Sequence, residues 1–345
     1  MTGAPVDEQY ERIDLPFYRE HVAPVLPDEV LDFHAHTWMS EQWKEVPWQT
    51  DAAGGKYIVV EKDYGVDRLE GDLKMMFPDK TVSAVCFGYP TPAADVAKTN
   101  DYMAEVGKRK GMFPLMLAGR DLVPREELER GIVERGFYGY KVFLAWYGDD
   151  YGDIQVEDMI GPAEMSLANE RSLVVLLHVP GSERLADPRV QKGVEKLAKE
   201  YPEANIVLAH AGRCFLPDQM RAAIGSVAKL ENVSFDVSMV MDTTVLQMVI
   251  EGVGPRRVLF ASDLPVAAMR GRRVYVMNHW VDVVAEGYQP SGYRVPAKGV
   301  PVTFMMYEIV LAIRRAAEMA GLSDAELKAI YGENGFSLLR QVQRK

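Results

Sequence analysis

The sequence predicts an α/β protein that folds as a single-domain (β/α)8 TIM barrel. Eight short runs of apolar, β-branched and aromatic residues recur along the chain, and segments of helical composition separate them. The runs start at Val30, Val82, Met112, Tyr138, Ser172, Asn205, Val233 and Val258. After the long first interval, the starts lie about 25 to 34 residues apart, which matches one strand–helix–strand crossover at each step.

The eight runs have the composition of strands that are buried on both faces. Each is almost continuously apolar, as in SLVVLLHV from Ser172, and most of them end in Gly or Pro. Parallel strands that are covered by helices show this pattern. A doubly wound sheet is the alternative fold. The Gly-rich phosphate-binding fingerprint of such sheets follows none of the runs, so the barrel is preferred.

The segments between the runs are predicted to be helices. Residues 93–110 end in basic side chains before Gly111, as expected at the negative end of a helix dipole. The other predicted helices cover residues 124–135, 161–170, 187–200, 217–230, 243–251 and, after the last run, 302–320.

Three segments lie outside this repeat. Residues 1–29 contain four prolines and are expected to form an N-terminal arm that wraps the barrel or reaches a neighbouring subunit. The first crossover, residues 37–81, is long and contains the turn pair Gly54-Gly55. No change of composition separates the residues after the last run from the rest. Residues 30–345 are therefore predicted to be one domain.

The composition excludes several classes of protein. The 345 residues include 39 Lys and Arg against 50 Asp and Glu, a net charge of −11, so nucleic acid is not an expected partner. Cys86 and Cys214 are too few for a disulfide framework and fit a reducing compartment. The N-terminus lacks the apolar core of a secretory signal, and no run approaches the ~20 apolar residues of a membrane span. The sequence predicts a soluble cytoplasmic protein without a membrane partner.

Five chemically active side chains stand at the predicted carboxyl ends of barrel strands, where barrel enzymes place their active sites. His34 and His36 are two residues apart on the first run and so point to the same face. His178 ends the fifth run, His210 the sixth and Asp263 the eighth. The sequence therefore predicts that these side chains meet at one end of the barrel.

This group of side chains predicts a metal site. A lone histidine in an apolar strand is more often a hydrogen-bonded core residue. Four histidines and a carboxylate at matching strand ends would be costly to bury without a shared partner, and a divalent metal satisfies them together. Imidazole and carboxylate ligands without thiolate favour one zinc ion, with manganese and then iron as the next choices.

With these residues in this order, the chain resembles the amidohydrolase superfamily. Within it, the chain is similar to the amidohydrolase-2 (amidohydrolase-related) branch of metal-dependent hydrolases and decarboxylases. The motif His34-Ala35-His36 carries the resemblance, together with the three later strand-end residues. The run GFYGYK from Gly136 is similar to the family's fourth strand, and Tyr331-Gly332-Glu333-Asn334 to its final motif. The resemblance covers nearly the whole chain, and it is specific for the superfamily rather than for a substrate.

The resemblance implies a role for each site residue. His34, His36, His178 and Asp263 would hold the metal, and Asp263 would also take a proton from the attacking water. His210 would be a further ligand or, preferably, a group that orients or protonates the substrate. Lys141 is carboxylated between two metals in some branches. In the branch that this chain resembles, it is structural or contacts the substrate, and its stem is expected to reach the barrel rim.

Side chains in the predicted loops suggest what the substrate carries. Arg213 follows His210 closely and is the preferred partner for a substrate carboxylate, while Arg270, Arg272 and Arg273 are weaker candidates. His279 is expected to reach the site from the loop after the eighth run. His21 and the cysteines are expected to have no chemical role. The aromatic residues that could wall a cyclic or aromatic substrate are Trp38, Tyr89, Trp146 and Tyr147.

Three functions compete at this point. The preferred one is a hydrolase that opens an amide, lactone or other ester bond of a small carboxylate-bearing substrate with a metal-activated water. The alternative that the resemblance implies is a non-oxidative decarboxylase of an aromatic or unsaturated acid. Ala211-Gly212-Arg213 departs from the pattern of those decarboxylases. The third is a non-catalytic metal-binding barrel, but closed structural zinc sites usually use thiolates. The arm favours a homodimer.

Overall fold

The eight predicted runs form the parallel strands of the fold. The computed structural model describes residues 8–44, 62–148, 151–276, 279–286 and 294–344. The third run contains two short strands rather than one: the first pairs with the preceding strand and the second with the following strand. The strands are β1 Glu29–His36, β2 Thr81–Phe87, β3 Met112–Pro114, β4 Met116–Leu117, β5 Gly139–Val142, β6 Val174–Leu177, β7 Asn205–Leu208, β8 Val233–Asp236 and β9 Val258–Leu259.

The strand order is that of a (β/α)8 barrel, as the sequence predicts. Parallel pairs connect β1–β2–β3 and β4–β5–β6–β7–β8–β9, each strand beside the next in sequence. Backbone hydrogen bonds also link β1 to the segment that continues β9. Phe33 N–H donates to Phe260 O over 2.9 Å, and Asp263 N–H donates to His34 O over 2.8 Å. The first and last predicted runs are therefore neighbours.

Helices follow the strands close to the predicted bounds. No helix was predicted in the first crossover, but the structure has one there, Val66–Met76. Gly54-Gly55 lies outside the described residues. Each predicted helix is present, with ends that move by a few residues. The main helices are Val66–Met76, Val96–Val106, Arg125–Arg135, Pro162–Glu170, Pro188–Glu200, Pro217–Val227, Thr243–Val253, Met305–Met319, Asp324–Tyr331 and Glu333–Gln341.

A small sheet after the barrel was not predicted. It consists of β10 Gly271–Val276, β11 His279–Val284 and β12 Arg294–Pro296, with β10 and β11 antiparallel. The arginines of β10 made this segment resemble a basic loop. The positive charge of Arg273 is paired inside the sheet, where its Nε donates to Asp282 Oδ1 over 2.8 Å and both side chains are buried.

The N-terminal arm packs against its own chain. Short helical turns cover residues 10–25, and Phe17 and Tyr18 place their rings on Tyr307 of the helix Met305–Met319. Asp14 is fully buried and forms an ion pair with Arg270 at 2.7 Å. These contacts explain how the arm is held without a second subunit, and the homodimer stays a prediction. No helix in the described part of the chain has the length and hydropathy of a membrane span.

Candidate metal centre and active site

A cavity of about 220 Å³ collects the side chains that the sequence placed at the strand ends. Residues of β1 and residues that follow β6, β7 and β9 line it together. The carboxyl ends of parallel barrel strands converge on one face, which is why side chains from distant parts of the chain meet here. The predicted site residues that line it are His34, His36, Tyr89, Lys141, His178, His210, Arg213 and Asp263.

His34, His36 and Asp263 form a cluster of possible metal ligands in the cavity. Asp263 Oδ1 lies 3.1 Å from His36 Nε2 and 3.5 Å from His34 Nε2. One donor atom from each of the three residues lies within 4.8 Å of the others. Two imidazole nitrogens and one carboxylate oxygen at such separations match the donor types that bind a divalent cation.

Asp236, at the end of β8, orients the ring of His34 through its Nδ1. Asp236 Oδ2 lies 2.7 Å from His34 Nδ1. Burial works to raise the pKa of Asp236, but the charge and hydrogen bond of His34 outweigh it and hold that pKa well below its usual range. An ionised carboxylate can only accept, so Nδ1 of His34 carries the proton and Nε2 keeps its lone pair for a cation. Asp236 was not among the predicted site residues, although it is the last residue of β8.

His210 lies in a left-handed turn directly after β7. Residues 210–213 have φ angles between 52° and 64°. This conformation costs roughly 1–3 kcal/mol for each non-glycine residue, and such residues cluster at active sites. The hydroxyl of Ser238 donates to Asp236 Oδ1 and lies 2.8 Å from His210 Nδ1. Because the hydroxyl has only one hydrogen, it accepts from Nδ1, and His210 keeps Nε2 as an acceptor.

His178 has an unsatisfied nitrogen beside this cluster. Its ring centroid lies 5.2 Å from that of His210 and 4.7 Å from that of Phe143. Its Nδ1 is buried and has no hydrogen-bond partner in the described part of the chain. Burial, with added repulsion from Arg213, holds the pKa of His178 well below its usual range, so the ring is neutral. A buried nitrogen without a protein partner can be satisfied by water or by an ion, so this nitrogen is compatible with a divalent metal beside the cluster.

The protonation states suit metal binding at neutral pH. Burial and the charge of Lys141 lower the pKa of His34 from 6.5 to about 3. Burial raises the pKa of Asp263, but the hydrogen bond from His36 and the charges of the surrounding histidines bring it down to about 2. At pH 7 the imidazole is neutral and the carboxylate is ionised, and metal ligands must be in these forms.

Lys141 is buried in the cavity and does not reach the rim. Its side chain is 1% exposed, with Nζ 3.2 Å from His34 Nε2 and 4.5 Å from the ring centroid of Phe87. The expectation of a rim position is therefore wrong, because the side chain of this β5 residue points into the barrel. Burial lowers the pKa of Lys141 to about 8, against the attraction of Asp236 and Asp263.

Two of the aromatic residues that were predicted to contact the substrate do not line the cavity. Trp38 is fully buried in the first crossover, where its Nε1–H donates to Lys62 O and its backbone pairs with Tyr64. Trp146 packs on Phe143 in a short helical turn and does not line the cavity. Both predictions of a substrate contact are wrong, since the backbone turns these side chains away. The aromatic residues that do line the cavity are Tyr89, Phe143, Tyr151, Phe215 and Trp280.

Tyr147 and His279 also lie outside the lining. The hydroxyl of Tyr147 donates to Arg120 O over 3.3 Å, outside the cavity. His279 begins β11 with an exposed side chain, so the expectation that it reaches the site is wrong. Within the part of the chain that the structure describes, neither residue has a contact that would place it near the histidine cluster.

Three arginines line the cavity, and only one was the preferred candidate. Arg213 lies there as predicted, and Arg184, which the sequence analysis did not single out, lies beside it. Arg273 reaches the cavity from β10 but is paired with Asp282. Arg270 and Arg272 point elsewhere, the latter to Glu308 over 2.7 Å. No motif marks Arg184, because its position depends on the loop after β6.

Replacing Asp236 with Asn should weaken metal binding by about 10- to 100-fold, the usual effect of losing a partner that orients a metal ligand. The amide cannot both accept from His34 Nδ1 and keep the contacts with Ser238. Competition with a chromophoric chelator measures the affinity. Asp218→Asn, at an exposed carboxylate, is the matched control. Equal affinity in the two variants would show that Asp236 does not orient a ligand.

Comparison with known proteins identifies the family. The sequence profile of the amidohydrolase family matches residues 31–340. The match covers most of the chain, and the chain therefore belongs to this family, in agreement with the resemblance carried by His34-Ala35-His36. The comparison with curated proteins gives no match.

Solved structures of amidohydrolases share the fold. An amidohydrolase from Burkholderia multivorans with bound HEPES aligns with a TM-score of 0.59 at 17% identity, covering 90% of this chain and 99% of that one. A putative 2-pyrone-4,6-dicarboxylic acid hydrolase from Pseudomonas putida gives 0.54 at 16% identity, covering 92% and 99%. A 2,6-dihydroxybenzoate decarboxylase from Rhizobium gives 0.52 at 16% identity, covering 91% and 99%. These likenesses support the barrel, and the protein is an enzyme of the amidohydrolase class.

Proposed function

We propose that the protein is a metal-dependent hydrolase that opens an amide, lactone or other ester bond of a small substrate bearing a carboxylate. The cluster of His34, His36 and Asp263, with donor atoms within 4.8 Å of one another, carries this proposal. Zinc is the proposed metal, since a Burkholderia multivorans amidohydrolase of the same fold has been solved with bound zinc. Manganese is the second choice.

Each residue of the cluster has a proposed task. His34, His36, His178 and Asp263 would hold the cation, which supplies a Lewis acid and lowers the pKa of water toward 7. Asp263 is ionised at pH 7 and is placed to take a proton from the attacking water. His210, whose Nε2 is an acceptor in the neutral ring, would orient the substrate and would receive the proton that Asp263 has taken from the water and pass it to the leaving group.

The cavity limits the size and chemistry of the substrate. Its volume of about 220 Å³ is below the roughly 300–1,000 Å³ typical of pockets for drug-sized ligands. Aromatic side chains line it together with Arg213. A single ring with a carboxylate matches these dimensions and this lining.

A substrate panel tests the proposal directly. The protein, loaded with zinc, is incubated with small lactones, amides and esters that carry a carboxylate, and with aromatic acids. Acid production and CO₂ release are monitored in parallel. The proposal expects acid from at least one cyclic ester or amide without CO₂. Release of CO₂ from an aromatic acid would instead establish the decarboxylase, which the Rhizobium enzyme makes the second candidate.

Replacing Arg213 with Met should lower kcat/KM for a carboxylate substrate by about 10- to 100-fold, because a charge-assisted hydrogen bond is lost. The Met side chain keeps much of the volume of the stem. The loss should be much smaller for the corresponding neutral amide. Steady-state kinetics on both substrates measures the difference. Equal losses for the two substrates would mean that Arg213 only supports the loop.

A further inference from the structure

Arg184 and Arg213 lie side by side in the cavity wall, each anchored through one nitrogen. Arg213 Nη1 donates to Val179 O over 2.9 Å. Arg184 Nη1 donates to Arg213 O and to Gln219 Oε1, both over 3.2 Å. The remaining N–H groups of the two guanidiniums form no hydrogen bond with the described residues. Each guanidinium is thus held in place by its Nη1 and keeps its other N–H groups available for a ligand.

Neither guanidinium has a carboxylate partner among the residues that the structure describes. Arg273, in the same wall, forms its ion pair with Asp282. Burial and, to a smaller extent, the positive charge of Arg184 together lower the pKa of Arg213 to about 10. Burial likewise lowers the pKa of Arg184. Arg184 and Arg213 are both partly buried. Two neighbouring cations repel each other, and an anion that contacts both would offset this repulsion.

The charge of the whole cavity also calls for an anion. At pH 7 the cations are Arg184, Arg213, Arg273 and Lys141, whereas the carboxylates in the cavity or paired with its walls are Asp236, Asp263 and Asp282. Positive charge is therefore in excess by one before any metal binds, in a chain whose net charge is −11. An anionic substrate would neutralise this local field.

We infer that Arg184 and Arg213 form one carboxylate subsite, in which both guanidiniums grip the same carboxylate of the substrate. Arg184 is then a specificity-determining residue. A carboxylate offers about four lone-pair positions, enough for both forks. The Cζ of Arg184 lies 5.5 Å from the ring centroid of Phe215, which supports the fork and provides an apolar wall for the rest of the molecule. That this ligand is the substrate rests on the proposed function.

Binding of benzoate tests the subsite without turnover. Dissociation constants for benzoate and for neutral benzamide are measured by calorimetry on the wild type, Arg184→Met, Arg213→Met and the double variant. Each single change should weaken benzoate binding by about 10- to 100-fold. The loss in the double variant should differ from the sum of the two single losses, because both residues bind one group. Benzamide binding should not change. Arg221→Met, an exposed arginine paired with Asp218, is the matched control and should bind like the wild type.

Arg184→Lys keeps the charge without the fork and should bind benzoate with intermediate affinity, which separates anion binding from loss of folding. Unchanged benzoate binding in Arg184→Met would overturn the inference. So would fully additive losses in the double variant, or a wild type that does not prefer benzoate to benzamide. A protein that shows the expected binding pattern but hydrolyses nothing in the panel would keep the subsite and refute the proposed hydrolase.

Discussion

Replacing Asp263 with Asn should lower kcat by at least about 10³-fold while leaving the fold intact. The amide cannot accept a proton, and it is also a weaker metal ligand, so two contributions are lost together. The hydrogen bond from Asp263 N–H to His34 O comes from the backbone and should survive the change. Single-turnover kinetics at saturating zinc, together with circular dichroism, measures both parts of the expectation.

A control measurement separates the role of Asp263 as a base from its role as a metal ligand. Metal content is determined for the variant under the same conditions, since a protein that has lost its metal would be inactive for that reason alone. Near-normal kcat with metal still bound would assign the proton transfer elsewhere, and His210 is the next residue in the cavity that could carry it.

Replacing both His34 and His36 with Ala should abolish high-affinity metal binding. The two changes remove two of the three donors in the cluster of His34, His36 and Asp263 and leave only Asp263 there. Elemental analysis of protein purified without chelator should show about one equivalent of metal in the wild type and almost none in the variant. Activity should be lost in parallel.

A matched double variant makes this test specific. His21 is half-buried and His279 is exposed, and both lie outside the cavity. His21→Ala with His279→Ala removes the same chemical groups and should retain a full equivalent of metal. If the His34 and His36 variant also retains its metal, the metal centre is not at this cluster.

The sequence predicted the barrel and the core of the site because both depend on local pattern. Each strand is a short apolar run, and the ligands occupy the last residues of such runs. The alternation of β1 places His34 and His36 on one face whatever the rest of the chain does. Parallel barrel strands then bring the ends of β6, β7 and β9 to the same face.

The orienting groups depended on side-chain contacts that a single sequence does not encode locally. Asp236 became part of the site only through its hydrogen bond with His34 Nδ1 at 2.7 Å. Lys141 was expected at the rim, but the side chain of this β5 residue is enclosed by the barrel. An aspartate or lysine within an apolar run does not reveal which partner will satisfy it.

The substrate-facing wall was decided by tertiary structure alone. Trp38 followed a ligand in sequence, yet the loop turns its ring into the first crossover. No motif marks Arg184 or Trp280, yet the loop after β6 and the unpredicted sheet bring them into the cavity. Strand periodicity sets which face a side chain occupies, so the sequence by itself determined the fold class and the cluster of His34, His36 and Asp263. Loop paths depend on long-range packing, and only the folded chain determined which cations and rings line the cavity.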